Sequence, residues 1–272
     1  MSSRLGDRIR TPPLAFVLPG FALLLLGIAT GVVARRRTRG LAIYAHRGFA
    51  SVAPENTLEA VRTAVPRAHG LEVDVRRCGS GELVCVHDAN LERLTGSPDR
   101  VDETDWDRLR ECAVADSDST VARLDDVLGA LPSGYPVVVE LKTRGLAPDV
   151  LAAVDRHDVD AQFSSFDPGA LEEVRSLDGD ASLAFTFRHG DVTSALLTAT
   201  ALDCDAVHPR LDRCLRTRLV SRAHAHGLAV VAWTVDSPVE AWLLALVDVD
   251  GIFADRPVNG DRSGEPRAGH RL

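Results

Sequence analysis

Eight short apolar runs, spaced along the chain with helix-like segments between several of them, constrain the fold more than any other feature. They are LAIYA (41–45), LEVDV (71–75), VVVEL (137–141), DAQFS (160–164), SLAFT (182–186), AVHP (206–209), LAVVAWTV (228–235) and DGIFA (250–254). Helical patterns lie at TLEAVRTA (57–64), RLDDVLGAL (123–131), PGALEEVRS (168–176) and RLVSRAHAH (218–226). Short strands alternating with helices build parallel sheets from βαβ units, and eight strands close a (β/α)8 TIM barrel. An open doubly wound sheet would place a glycine-rich phosphate loop after its first strand. HRGFASVAPENT is not such a GxGxxG fingerprint.

One extended run falls outside this count. LEVDV leads through the polar turn CGSG (78–81) into ELVCVHD, which makes the two runs hairpin partners. Residues 90–119 are then polar, acidic and irregular, and read as a small insertion after the second-strand hairpin. A chain of 272 residues with 45% hydrophobic content supports one sizeable core, so residues 41–257 are assigned to one barrel domain. The net charge of -8 leaves no basic face for nucleic acid, and no protein partner is implied. Five cysteines, without a CxxC pair, read as free thiols rather than a disulfide framework.

Upstream, residues 1–13 form a tail, 14–34 are uncharged throughout, and 35–40 are a basic linker. At about 1.5 Å per residue the middle segment is long enough to cross a bilayer as a helix. The expectation is a single-pass N-terminal transmembrane anchor and a membrane location. A cleaved signal peptide is disfavoured by Arg35, Arg36 and Arg37 directly after it, and a buried soluble helix by the lack of a polar face. Arginines flank both ends, so the positive-inside rule selects neither orientation. Residues 258–272 read as a disordered tail.

Chemistry gathers at the carboxyl ends of these strands, where barrels place reacting groups. Glu72 and Asp74, two apart on a strand, project to one side, and Glu140 adds a third carboxylate. Three carboxylates suit Ca²⁺ or Mg²⁺ far better than Zn²⁺. His46 and His87 each end an apolar run and can exchange protons near neutral pH. Arg47 offers a planar fork of donors to phosphate oxygens, and Lys142, the only lysine of the chain, a compact charge beside Glu140. His208 also ends a strand, as a pocket residue or a structural one.

These residues carry a family resemblance. From about Leu41 to Pro257 the chain resembles the glycerophosphodiester phosphodiesterases. The similarity runs through His46-Arg47-Gly48, Pro54-Glu55-Asn56-Thr57, Glu72-x-Asp74, His87-Asp88, LERLTG (91–96), Glu140-Leu141-Lys142, Ser165-Phe166, Trp233-Thr234-Val235 and Asp255-x-Pro257. The resemblance implies the barrel with its insertion, one divalent cation on Glu72, Asp74 and Glu140, catalytic histidines at 46 and 87, and phosphate contacts from Arg47 and Lys142. Trp233 looks like a wall of the substrate site, or equally barrel core. Glu55 and Asn56 brace the first loop, and Asn56-Thr57 can start a helix. Two departures stand out: Arg77-Cys78-Gly79-Ser80-Gly81 replaces a common Thr-Lys-Asp-Gly turn, and Asp236 follows WTV where asparagine is common, a change that could alter recognition of the alcohol.

The reaction implied is metal-dependent hydrolysis of a glycerophosphodiester to sn-glycerol 3-phosphate and an alcohol. The neighbouring glycerol hydroxyl is the implied nucleophile, through a cyclic phosphate. Two alternatives are a membrane-associated phospholipase D- or C-like enzyme acting on lysophospholipids, and a tethered binding module without catalysis.

Overall fold

The computed structural model describes residues 40–258. The expected membrane segment (14–34), the tail before it, the linker up to residue 39 and the C-terminal residues from 259 lie outside the described residues. Among those described, no helix is long and apolar enough to cross a membrane.

All eight expected strands form. They are β1 (Ala42–Ala45), β2 (Gly70–Arg77), β4 (Tyr135–Leu141), β5 (Val159–Ser165), β6 (Ser182–Phe187), β7 (Ala206–Pro209), β8 (Ala229–Val235) and β9 (Gly251–Ala254), with β3 (Leu83–Cys85) between β2 and β4 in sequence. Each of the eight pairs in parallel with its neighbours, and β1 pairs with both β9 and β2, which closes the barrel. β3 is antiparallel to the end of β2, with Val75 opposite Cys85 and Arg77 opposite Leu83. It fits there because β1 is only four residues long and pairs β2 at Gly70 and Leu71, leaving the upper edge of β2 open.

Strand alternation sorts the side chains. In β2, Leu71, Val73 and Val75 join the large core between strands and helices, and Val137, Val139 and Leu141 of β4 do the same. The opposite parity faces the barrel axis, where Tyr44, Val138, Val231 and Phe253 fill the interior. Because helices cover the outer face, both faces of β2 are buried, and the carboxylates of Glu72 and Asp74 have no route to bulk water through the sheet.

Side chains set several helix starts. Thr57 accepts from Ala60 N and caps Leu58–Ala64, Asp167 accepts from Gly169 N ahead of Pro168–Leu177, and Ser237 with Glu240 makes a capping box for Pro238–Leu246. Of the Asn56-Thr57 pair, only Thr57 caps.

The stretch expected to be irregular is more ordered than its composition suggests. It holds helical turns at Glu92–Thr95, Val101–Glu103 and Trp106–Leu109, and isolated bridges Asn90 to Arg100 and Ala113 to Thr120. Its apolar residues are sparse, but Leu91, Leu94, Val101, Leu109 and Val114 converge with Cys78, Val84, Val86 and Val121 into a second small core. Single apolar residues in turns lack periodicity, so this packing has no signature along the chain.

Leu91 is fully buried in that core. Leu91→Ala should lower the unfolding free energy by about 2–5 kcal/mol, read by urea denaturation, where an unpacked loop would lose less than about 0.5 kcal/mol.

Candidate active site

One pocket opens at the carboxyl ends of the strands, and His46, Arg47, Glu72, Asp74, His87, Glu140, Lys142 and Trp233 all line it. Every candidate site residue is thus brought together. Ser164, Phe166, Thr186, Arg188, His208, Thr234 and Phe253 complete the wall.

The first loop is shaped by backbone that few residues adopt. His46–Gly48 makes a tight 3-10 turn directly after β1, with Arg47 at φ 50°, Gly48 at φ 79° and Phe49 at φ 70°. A Cβ at Gly48 would lie 2.4 Å from the Cβ of Ala60, so only glycine lets the turn rest on the first helix. Held this way, the Arg47 amide donates to Glu72 Oε2 at 2.8 Å. Asn56, also left-handed at φ 59°, donates through Nδ2 to Asp74 Oδ2 at 2.8 Å and accepts from Asp74 N at 3.2 Å. The asparagine therefore fixes a carboxylate.

Both histidines are oriented by a carboxylate on Nδ1. His46 pairs with Asp255 Oδ1 at 2.6 Å, and His87 with Asp88 Oδ1 at 2.7 Å. His46 Nε2 lies 4.0 Å from Glu72 Oε2. Burial disfavours the charged form of His46, but Glu72 and the bond to Asp255 outweigh it and raise the pKa above the usual 6.5. For His87 burial prevails over the attraction of Asp74, and the pKa falls below 6.5. Asp255 carried no assigned role in the sequence, although an aspartate directly after the last strand is a strand-end signal of the same kind as the others.

The insertion reaches into this arrangement through Arg93. Its guanidinium donates twice to Glu55, at 2.7 and 2.8 Å, and through Nε to Asp88 at 2.6 Å. Glu55 in turn accepts from Arg47 Nη1 at 3.1 Å. A continuous path of charged contacts therefore joins the first loop to His87. Nothing local in LERLTG announces it, because the partners are 38 and 5 residues away.

Glu72, Asp74 and Glu140 are buried, and one oxygen from each can be chosen so that all lie within 4.8 Å of one another. Lys142 Nζ lies 2.7 Å from Asp74 Oδ1 and also pairs with Glu140. Burial opposes the charge on Asp74, yet Lys142 and Arg47 hold its carboxyl well below the usual range. Glu72 differs. Burial and the neighbouring Asp74 push its pKa up to about 8, and its Oε1 is buried without a hydrogen-bond partner. An all-oxygen set with one orphaned carboxylate oxygen fits a hard divalent cation.

Trp233 is both wall and core, since it packs on the barrel interior while its Nε1 donates to His208 O at 2.8 Å. His208 is 2% exposed, meets Phe253 edge-on at 4.8 Å, and burial brings its pKa down to about 3, so it contributes a neutral ring. Asp236 is not among the pocket residues. It sits against Asp255, and burial with that carboxylate raises its pKa. All five cysteines are free, and burial pushes Cys204 and Cys214 up to about 12, away from thiolate chemistry.

Residues 46–259 match the family described as "Glycerophosphoryl diester phosphodiesterase family". The chain is 30% identical over 240 residues to the probable glycerophosphodiester phosphodiesterase 2 of Mycobacterium tuberculosis, covering 81% of this chain and 89% of that protein. It is 27% identical to a glycerophosphodiester phosphodiesterase of Bacillus altitudinis, covering 79% and 94%. The fold is similar, at a TM-score of 0.74 and 25% identity, to a phosphodiesterase of Oleispira antarctica solved with the product sn-glycerol-3-phosphate, with 79% and 93% of the two chains covered.

Filling the acidic triad should stabilise the fold. Ca²⁺ or Mg²⁺ at about 100 times its dissociation constant should add about 2.7 kcal/mol and raise the melting midpoint by several degrees. The rise should grow as pH increases towards 8, because Glu72 must lose its proton to bind, and Glu72→Gln should abolish it in a thermal-shift titration.

Proposed function

The chain belongs to the glycerophosphoryl diester phosphodiesterase family, and from that membership and the arrangement of its pocket we propose how it hydrolyses glycerophosphodiesters to sn-glycerol 3-phosphate and an alcohol. The observation that carries the proposal is two carboxylate-oriented histidines facing one pocket with a buried acidic triad between them.

Glu72, Asp74 and Glu140 would hold one divalent cation, Ca²⁺ or Mg²⁺. When bound, the cation supplies positive charge to the phosphoryl oxygens as negative charge builds there. Arg47 and Lys142 add fixed donors on the same wall, although both also serve the carboxylates. Trp233 lines the substrate site. His87, whose pKa burial lowers below 6.5, takes the proton from the attacking hydroxyl, which is the neighbouring hydroxyl of the glycerol half. His46, whose pKa Glu72 and the bond to Asp255 raise above 6.5 against burial, gives its proton to the departing alkoxide. The cyclic phosphate so formed is opened by water with the two roles exchanged. Asp255 and Asp88 hold the imidazole rings so that Nε2 of each is left for substrate.

For cellular placement we propose that residues 14–34 anchor the barrel to a membrane, with 35–40 as a basic linker; of the expected tail at 258–272, Val258 packs in the core and the tail would begin after it. An anchor would bring the site near lipid, so lysophospholipids are the competing substrates. The full chain should pellet with membranes, and protease treatment of sealed vesicles should report which side carries the barrel.

With purified protein, glycerophosphocholine or glycerophosphoglycerol should be turned over in the presence of Ca²⁺ or Mg²⁺ and faster than a lysophospholipid. His46→Ala and His87→Ala should each reduce kcat/KM by about 10²–10⁴-fold. Activity that survives both chelator and His46→Ala would sink the mechanism.

The pH profile carries its own sign. With the cation saturating at every pH, so that deprotonation of Glu72 does not limit the rate, the base must be deprotonated and kcat/KM should rise through a pKa below 6.5, while the acid must be protonated and kcat/KM should fall through a pKa above 6.5. Replacing His87 should remove the acidic limb.

A further inference from the structure

The active-site pocket continues into an open groove with two cations, Arg76 and Arg188, that the mechanism leaves unused. The inner pocket is the smaller and more enclosed, and the groove outside it is wider and more open, bounded by Arg76, Asp88, Lys142, Phe166, Asp167 and Arg188. In a glycerophosphodiester the glycerol half is constant and the alcohol half varies. The smaller pocket suits the constant half and the open groove the variable one.

The carboxylates along the groove are already engaged. Asp88 is held by Arg93 and His87, Asp167 by two bonds from Arg144 at 2.6 and 2.7 Å, and Glu140 by Lys142. Two cations of the groove, Arg76 and Arg188, have no carboxylate partner among the described residues. Arg76 donates only to the backbone oxygen of His87, at 2.9 and 3.0 Å, and Arg188 makes no ion pair. Arg188 follows directly on β6, is exposed, and borders both pocket and groove. Its guanidinium carbon stands 5.4 Å from the centre of the Trp233 ring. Phe166, 41% exposed, meets the same ring edge-on at 5.5 Å.

A quaternary ammonium is recognised by open aromatic faces. Here the tryptophan that would supply such a face already carries the protein's own cation, and the indole is pinned by its bond to His208 O. A second positive charge would meet both a covered ring and like charge.

We propose that Arg188, stacked on Trp233, makes the groove a subsite for an alcohol half that offers hydroxyl or anionic oxygens and carries no net positive charge. The guanidinium donates to those oxygens and disfavours choline-like groups. The inference rests on the phosphodiesterase reading and narrows its substrate class.

The test compares glycerophosphoglycerol with glycerophosphocholine on the full chain with Ca²⁺ or Mg²⁺. The wild-type protein should favour the first in kcat/KM by about tenfold or more, carried mainly in KM. Arg188→Ala should bring the ratio to near one, lowering turnover of the polyol diester and raising that of the choline diester, and Arg188→Lys should restore part of the preference. A mere packing role would move both substrates together. A wild-type ratio at or below one, or a ratio unchanged in Arg188→Ala, overturns the subsite and leaves the phosphodiesterase reading intact. Failure to turn over any diester with either metal overturns that reading and this inference with it.

Discussion

Three carboxylates placed inside the mouth of a barrel set the terms for everything around them. Removing a carboxylate from water costs several kcal/mol even after the protein relaxes, and like charges a few ångströms apart add to the cost. The chain answers with three devices. Lys142 lies between Asp74 and Glu140, Arg47 approaches Asp74 to 3.2 Å, and Asn56 bonds both the side chain and backbone of Asp74. Glu72 receives only the Arg47 amide and a distant histidine, and its pKa rises accordingly. The imbalance is where a divalent cation would act, because a charge of two offsets what one lysine and one arginine leave over.

Supporting that cluster imposes strain on the first loop. Arg47, Phe49 and Asn56 hold left-handed backbone, which costs about 1–2 kcal/mol for a residue with a side chain. Two of these conformations do something identifiable. The turn at Arg47 directs its amide at Glu72, and the turn at Asn56 aims its carboxamide at Asp74. The loop is held in place by Gly48 against Ala60 and by Glu55 against Arg93. The insertion therefore stabilises the site as well as itself: its small core fixes the helix Glu92–Thr95, and that helix presents Arg93 to Glu55 and Asp88 at once.

Much of this is legible in the sequence because strand parity and strand ends are local properties. The two-residue spacing of Glu72 and Asp74 places them on one face, and the parity of Val137, Val139 and Leu141 against Val138 and Glu140 sorts core from interior. His46, His87, Glu140 and Lys142 follow from their positions just at or past apolar runs. Arg93, Asp255 and Arg188 are different. Asp255 and Arg188 stand at strand ends and Arg93 in a short helix, but position alone gives none of them a role, which comes from partners in space, 209 residues away in sequence in the case of Asp255 and His46.

By itself, then, the sequence determined the eight strands, the hairpin, the helix start at Asn56-Thr57 and the identity of the acidic and histidine residues, since periodicity, capping chemistry and strand-end position are written within a few residues. Only the tertiary structure decided which carboxylate orients which histidine, that Glu72 and not Asp74 is the carboxyl left short of positive charge, that residues 90–119 build a core and send Arg93 to the site, and that Arg188 covers Trp233. The physical reason is that these outcomes depend on distances between groups that barrel closure alone brings together. Electrostatic interaction at a few ångströms depends on where the chain ends up, not on the order in which its residues occur.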